Sequence, residues 1–235
     1  MPLHPRAFLD VLHTLHNAAS AAGRPDGVRL LAVAKTQPTA AIAELFDAGQ
    51  RAFGENYVQE ARAKQAELRA IAARIEWHLI GHLQSNKARD AAKLFDWVQT
   101  VDRPKLVAAL AQHRAPTRPP LNVLVQVNID DESSKHGCRP DAVTMLADAI
   151  AAQPRLALRG LMAIPAPHPD PDSRRPAFRY MKQLFEELGA RHPRIDTLSM
   201  GMSDDYEIAI EEGATMVRMG TALFGERPSK TEAEQ

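Results

Sequence analysis

The chain has a single cysteine, Cys138, so it cannot close an intramolecular disulfide, and this fits a reducing compartment. It has no surplus of either charge. Its 29 Lys and Arg stand against 29 Asp and Glu, which gives no reason to expect binding to nucleic acid or to a membrane surface. No apolar run is long enough to cross a bilayer. The opening stretch, MPLHPRAFLDVLHTLHNAAS, lacks the unbroken hydrophobic segment of a secretory signal. There is no internal repeat and no linker. These absences lead us to expect a cytoplasmic protein with one domain over 1–235, a core at about 28–225 and a polar tail at 226–235.

What is present is alternation. VRLLAVAKT reads as a strand ending near a proline, and TAAIAELFDAG reads as a helix with a glycine stop. RAFGE, IEWHLIG and DWVQTVD are further strands, and LNVLVQVNI is the clearest. The helix SNKARDAAKLF is expected to be capped by Ser85 or Asn86. Helix RPDAVTMLADAIAAQ has Pro140 near its first turn. LALRGLMAI, TLSMG and TMVRMGTALFG complete eight strands, each but the last followed by a helix, with one extra helix in front. Strands alternating with helices imply a parallel sheet with helical crossovers. Eight such units in this length imply an α/β fold, a single (β/α)8 TIM barrel with an extra N-terminal helix.

Barrels carry their sites at the C-terminal ends of the strands. The candidates are then Lys35, Asn56, Gly81 with His82, Asn128, the segment from Ser199 to Ser203, and Gly220 with Thr221. Lys35 shares a face with Leu31 and Val33. It is either a cation reaching solvent at the rim or an amine whose pKa is lowered in an apolar pocket, fit to attack an aldehyde.

LSMGMSDDYE places Ser199, Gly201 and Ser203 between strand seven and a helix beginning near Asp204. Small residues there admit an anion to backbone N–H groups, and Ser203 stands where it can cap the helix or donate to a phosphate. Asp204 and Asp205 also suit a first helical turn with no ligand. Gly220 and Thr221 occupy the neighbouring position on strand eight, and phosphate sites in barrels are often built after strands seven and eight. Arg218 shares the Gly220 face. It is either paired with a core carboxylate such as Glu55 or Asp102, or a donor to a ring nitrogen.

A lysine, a phosphate cradle and an arginine between them suit pyridoxal 5′-phosphate (PLP). AVAKTQP, FGENYVQE, WHLIGHLQSNK, SSKHG, LRGLMAI and LSMGMSDDYEIAIEEGATMVRMGTALFG, in that order, resemble the PLP homeostasis protein family, which is similar to the N-terminal barrel of alanine racemase. The resemblance runs from about Leu30 to Gly225. It implies a PLP-binding barrel with Lys35 as the Schiff-base lysine. It also implies phosphate contacts at Ser199, Ser203, Gly220 and Thr221, and Arg218 near the pyridine nitrogen. Asn56, His78 and Met162 match residues lining that pocket.

Other signals are weaker. His78 and His82, four apart on a strand, lie about 13 Å apart, too far for one metal ion. His78 reads as a hydrogen-bonded core residue or a pocket wall. Lys87 and Lys135 read as solvated charges at the mouth, and Cys138 as an inert loop thiol.

An arginine at the pyridine nitrogen leaves that nitrogen unprotonated and weakens PLP as an electron sink. A racemase also needs two bases, and the tyrosines, Tyr57, Tyr180 and Tyr206, fall on expected helices. The expected function is a PLP carrier or buffer with little or no catalysis, monomeric, with apo PLP enzymes as partners. The alternatives are a low-activity PLP-dependent amino-acid racemase and a Schiff-base aldolase without PLP.

Overall fold

The computed structural model describes residues 5–131 and 136–225. Eight parallel strands form a closed barrel in chain order: β1 (Arg29–Val33), β2 (Ala52–Glu55), β3 (Glu76–Leu79), β4 (Trp97–Val101), β5 (Leu121–Val127), β6 (Leu156–Ala163), β7 (Thr197–Ser199) and β8 (Met216–Met219). Closure is made by β8 pairing with β1, with Arg218 opposite Leu31. The helices outside are α1 (Pro5–Ala21), α2 (Thr39–Asp47), α3 (Val58–Glu67), α4 (Ala88–Leu94), α5 (Pro104–His113), α6 (Val143–Ala151), α7 (Arg175–Arg191), α8 (Tyr206–Glu211) and α9 (Thr221–Phe224). None is long and apolar enough to cross a membrane.

The helices form because their apolar residues recur at helical spacing and meet the outer face of the barrel. Ile42, Leu45 and Phe46 on α2 are buried, as are Leu106, Val107, Leu110 and Ala111 on α5. Val143, Leu146, Ala147 and Ile150 do the same for α6. The extra helix α1 buries Phe8, Val11, Leu15 and Ala19 and packs on α8 and α9.

Three boundaries differ from the sequence expectation. The segment Ser85–Lys87 is a 3-10 turn, and α4 starts only at Ala88 with no side-chain cap from Ser85 or Asn86. Strand β8 stops at Met219, because Gly220 turns out of the extended region at φ −120° and ψ −71°. Thr221 therefore opens a short helix instead of continuing a strand, and β8 too is followed by a helix. The helix after β7 begins at Tyr206, with Asp205, not Ser203, in the capping position.

The barrel interior is small and layered. Leu31, Ala52 and Met216 form one buried apolar cluster, and Trp97, Leu124 and Met162 form another. Polar side chains meet both clusters: Gln99 lies against Met216, and His78 stacks on Trp97.

Candidate functional site

Lys35 lies two residues beyond β1, on the inward face with Leu31 and Val33, and is half-buried. Its neighbours are held tightly. Lys64, buried on α3, donates from Nζ to the carbonyl of Ala34 at 2.8 Å and to Glu55 Oε1 at 2.8 Å. Lys64 Nζ also meets Glu60 Oε1 at 2.8 Å. Glu60 Oε1 in turn accepts the N–H of Thr36 at 2.7 Å. The residues before and after Lys35 are thus tied to one ammonium group. Burial pushes the Glu55 carboxyl up to about 7, partly offset by Lys64.

Arg218 on β8 is 3% exposed and points into the barrel. It donates to Ser199 Oγ at 2.8 Å and to the carbonyl of Ala163 at 2.9 Å. Both partners are neutral. The carboxylates weighed as its counter-ions are engaged elsewhere, Glu55 with Lys64 and Asp102 with Arg103. Burial lowers the guanidinium pKa to about 10, and it remains cationic at neutral pH. The Ser199 hydroxyl, for which the resemblance implies a phosphate contact, is fully buried and donates to Gln99 Oε1 at 2.7 Å.

His78 on β3 is fully buried and stacks on Trp97, with ring centroids 5.1 Å apart. Its Nδ1 lies 2.9 Å from Gln99 Nε2, and its Nε2 lies 2.8 Å from Glu76 Oε1. Burial holds its pKa below the ordinary value, so the ring is neutral at pH 7. Burial works against ionising Glu76, but the His78 N–H and the charge of Arg29 outweigh it and keep that carboxyl ionised.

Ser203, Gly220 and Thr221 sit where β7 and β8 give way to turns, at the same end of the barrel as Lys35. Gly201 holds φ +90°, and a Cβ there would come within 2.6 Å of the Ala209 Cβ, so only glycine lets the turn close on α8. The N–H of Met202 is taken by Asp205 Oδ1 at 2.6 Å. Met162 is fully buried beneath the mouth, against Trp97 and Leu124. Asn56 is half-buried beside a groove of about 270 Å³ that also borders Tyr57, Gly81, His82 and Lys87. Tyr57 is 64% exposed just ahead of α3, whereas Tyr180 and Tyr206 lie on α7 and α8. Lys135 lies outside the described residues. Cys138 is more than a loop thiol. It is buried, bridges Val127, and has its pKa pushed up to about 12 by burial.

The sequence profile of the alanine racemase N-terminal domain matches residues 10–228. The pyridoxal phosphate homeostasis protein of Escherichia coli K12 is 52% identical over 212 residues, covering 89% of this chain and 91% of that protein. The chain belongs to the pyridoxal phosphate homeostasis protein family. One solved relative, PipY of Synechococcus elongatus PCC7942 with PLP bound, has 36% identity and a TM-score of 0.78. It is covered completely, by 90% of this chain. An alanine racemase of Clostridium difficile 630 shares the fold at 16% identity and TM-score 0.68, and 61% of it is covered.

The residues that carry the resemblance to this family lie, among the described residues, at one end of the barrel or just beneath it. Sequence reading missed Gln99 and the Glu55–Glu60–Lys64 cluster. Gln99 had a signal, a polar residue inside the apolar strand β4. Lys64 had none, since a lysine on an Ala- and Glu-rich helix normally faces water.

Proposed function

We propose that the chain binds PLP at the barrel mouth, tethered to Lys35 as a Schiff base, and serves PLP homeostasis as a carrier or buffer with little catalysis. The observation that carries this reading is Arg218. It is a buried, permanently cationic donor with neutral partners, on the strand next to that of Lys35. The residues fit the group. An amine at one strand end, a donor-only side chain inside and glycine–hydroxyl turns on the neighbouring strands β7 and β8 suit an aldehyde, a ring nitrogen and a phosphate. The names of the relatives support the same reading.

PLP, when bound, supplies an aldehyde and an electron sink. Ser203, Gly220 and Thr221 would take the phosphate, with Ser199 below them. Asn56, His78 and Met162 would line the ring. Arg218, which cannot accept a proton, would donate to the ring nitrogen and leave it unprotonated. That suppresses the sink and favours holding the cofactor over turning it over. Recipients would be apo PLP enzymes.

The test is a visible spectrum of the purified chain with PLP, followed by borohydride reduction and peptide mapping. A yellow, reducible adduct at Lys35 that disappears in a folded Lys35→Ala variant is expected. An adduct on another lysine would move the covalent site. A second reading, a low-rate amino-acid racemase, is favoured by Tyr57 at the open groove. Conversion of L-alanine to D-alanine above about 1 s⁻¹ would establish it against the carrier.

A further inference from the structure

Six polar side chains on five strands make one unbroken line through the barrel. Arg218 donates to Ser199 Oγ at 2.8 Å, and Ser199 Oγ lies 2.7 Å from Gln99 Oε1. Gln99 Nε2 lies 2.9 Å from His78 Nδ1, and His78 Nε2 lies 2.8 Å from Glu76 Oε1. Arg29 closes the line on the same carboxylate oxygen at 2.6 Å. Ser199, Gln99 and His78 are fully buried. Glu76 and Arg29 reach solvent at the barrel floor.

Elementary donor chemistry sets the direction of every bond. Arginine has no acceptor, so Ser199 Oγ must accept and spend its one proton on Gln99 Oε1. The Gln99 amide nitrogen then faces His78, so Nδ1 is the unprotonated nitrogen and Nε2 carries the proton given to Glu76. A flipped amide is opposed independently. Gln99 Nε2 also lies 3.2 Å from Met216 Sδ, a group that only accepts. The line is therefore one-way and has no proton to send towards Arg218.

We infer that Ser199, Gln99 and His78 are positioning residues that fix the Arg218 guanidinium for its contact with the ring nitrogen, an inference that rests on the PLP reading above. Two edges of the guanidinium are pinned, one by Ser199 and one by the Ala163 carbonyl. The pinning groups are neutral, so no carboxylate bonds the cation directly, and Asp205, which acts on it through space, is itself paired with Arg174. A buried polar line of this length carries a desolvation cost that an apolar core would avoid, so it stands out from the two apolar clusters beside it.

The test uses the full chain with and without PLP. In the apo protein, ¹⁵N NMR of His78 is expected to show the neutral tautomer protonated at Nε2. Gln99→Met, of similar length without the hydrogen bonds, is expected to shift the visible band. It should weaken PLP affinity about fivefold or more, the factor that one net hydrogen bond represents. The Lys35 adduct should still form. His78→Asn keeps an acceptor near the Nδ1 position and is expected to shift the band less than His78→Leu does. A packing role would move both together. A wild type without a Lys35 adduct would overturn the PLP reading and this inference with it. A wild-type adduct combined with an unchanged band and affinity in Gln99→Met, or with an Nδ1–H tautomer at His78, would overturn the positioning role alone.

Discussion

Thr36, in the left-handed region at φ +63°, donates its N–H to Glu60 Oε1 at 2.7 Å. A β-branched residue in that region is strained, at a cost of about 1–3 kcal/mol. The strain lies immediately after Lys35, and the carboxylate that receives the N–H is itself held by Lys64. Thr36→Gly removes the strain but frees the turn. It is expected to raise the thermal midpoint by roughly 2–4 °C and to weaken PLP retention. A lower midpoint in thermal unfolding would show that the threonine side chain contributes more than its backbone costs.

Glu55 and Lys64 form a buried ion pair in which Glu55 Oε2 has no hydrogen-bond partner. The Glu55 pKa is raised to about 7, chiefly by burial. The folded chain therefore holds this proton more tightly than the unfolded chain does. Its contribution is present below the ordinary carboxylate range and is lost as the pH rises to about 7, by an amount of about 3 kcal/mol. Denaturant titrations at pH 5 and 8 are expected to show that fall in the wild type and a flatter profile in Glu55→Gln. Lys64→Met, which leaves the carboxylate buried alone, is expected to cost about 3–5 kcal/mol. Equal pH slopes in wild type and Glu55→Gln would place the titration elsewhere.

The barrel was legible because strands such as LNVLVQV and helices such as VTMLADAIA differ plainly in apolar period. The inward placement of Arg218 and the positions of Lys35 and Gly220 at the strand ends were legible because residues two apart on a strand share a face. The end of β8 was not, since GTALF continues the apolar run and only the backbone at Gly220 breaks it. The Ser85 cap failed because a 3-10 turn intervenes before α4. Gln99 and His78 lie 21 residues apart, and Ser199 and Gln99 lie 100 apart. Pairing of β3 with β4 brings the first two together and closure of the barrel the second two, and no local pattern encodes either. The strain at Thr36 leaves no mark in its residue type.

Cys138 is buried at the end of a bridge to Val127, with its N–H donated to the Gln126 carbonyl at 2.8 Å. Burial, reinforced by Asp102, pushes its thiol up to about 12. The reactive thiolate is then scarce at neutral pH. Alkylation by iodoacetamide is expected to be slow in the native chain and to become rapid on unfolding in urea. Rapid native labelling would mean that the segment around Cys138 opens readily.

On the proposed reading, Arg218 decides whether the site holds PLP or uses it. A carboxylate there shares a proton with the ring nitrogen and strengthens the electron sink, and a guanidinium prevents this. Arg218→Glu strips both the Ser199 hydroxyl and the Ala163 carbonyl of their donor and buries a carboxyl group. The apo variant is expected to be less stable than the wild type by about 1–3 kcal/mol. With PLP, its visible spectrum should shift, and it should exchange the α-hydrogen of L-alanine for deuterium faster than the wild type does. Proton NMR in D₂O measures that exchange directly. An unchanged spectrum, PLP affinity and exchange rate would reduce Arg218 to a structural cation and remove the physical basis for a carrier that suppresses chemistry.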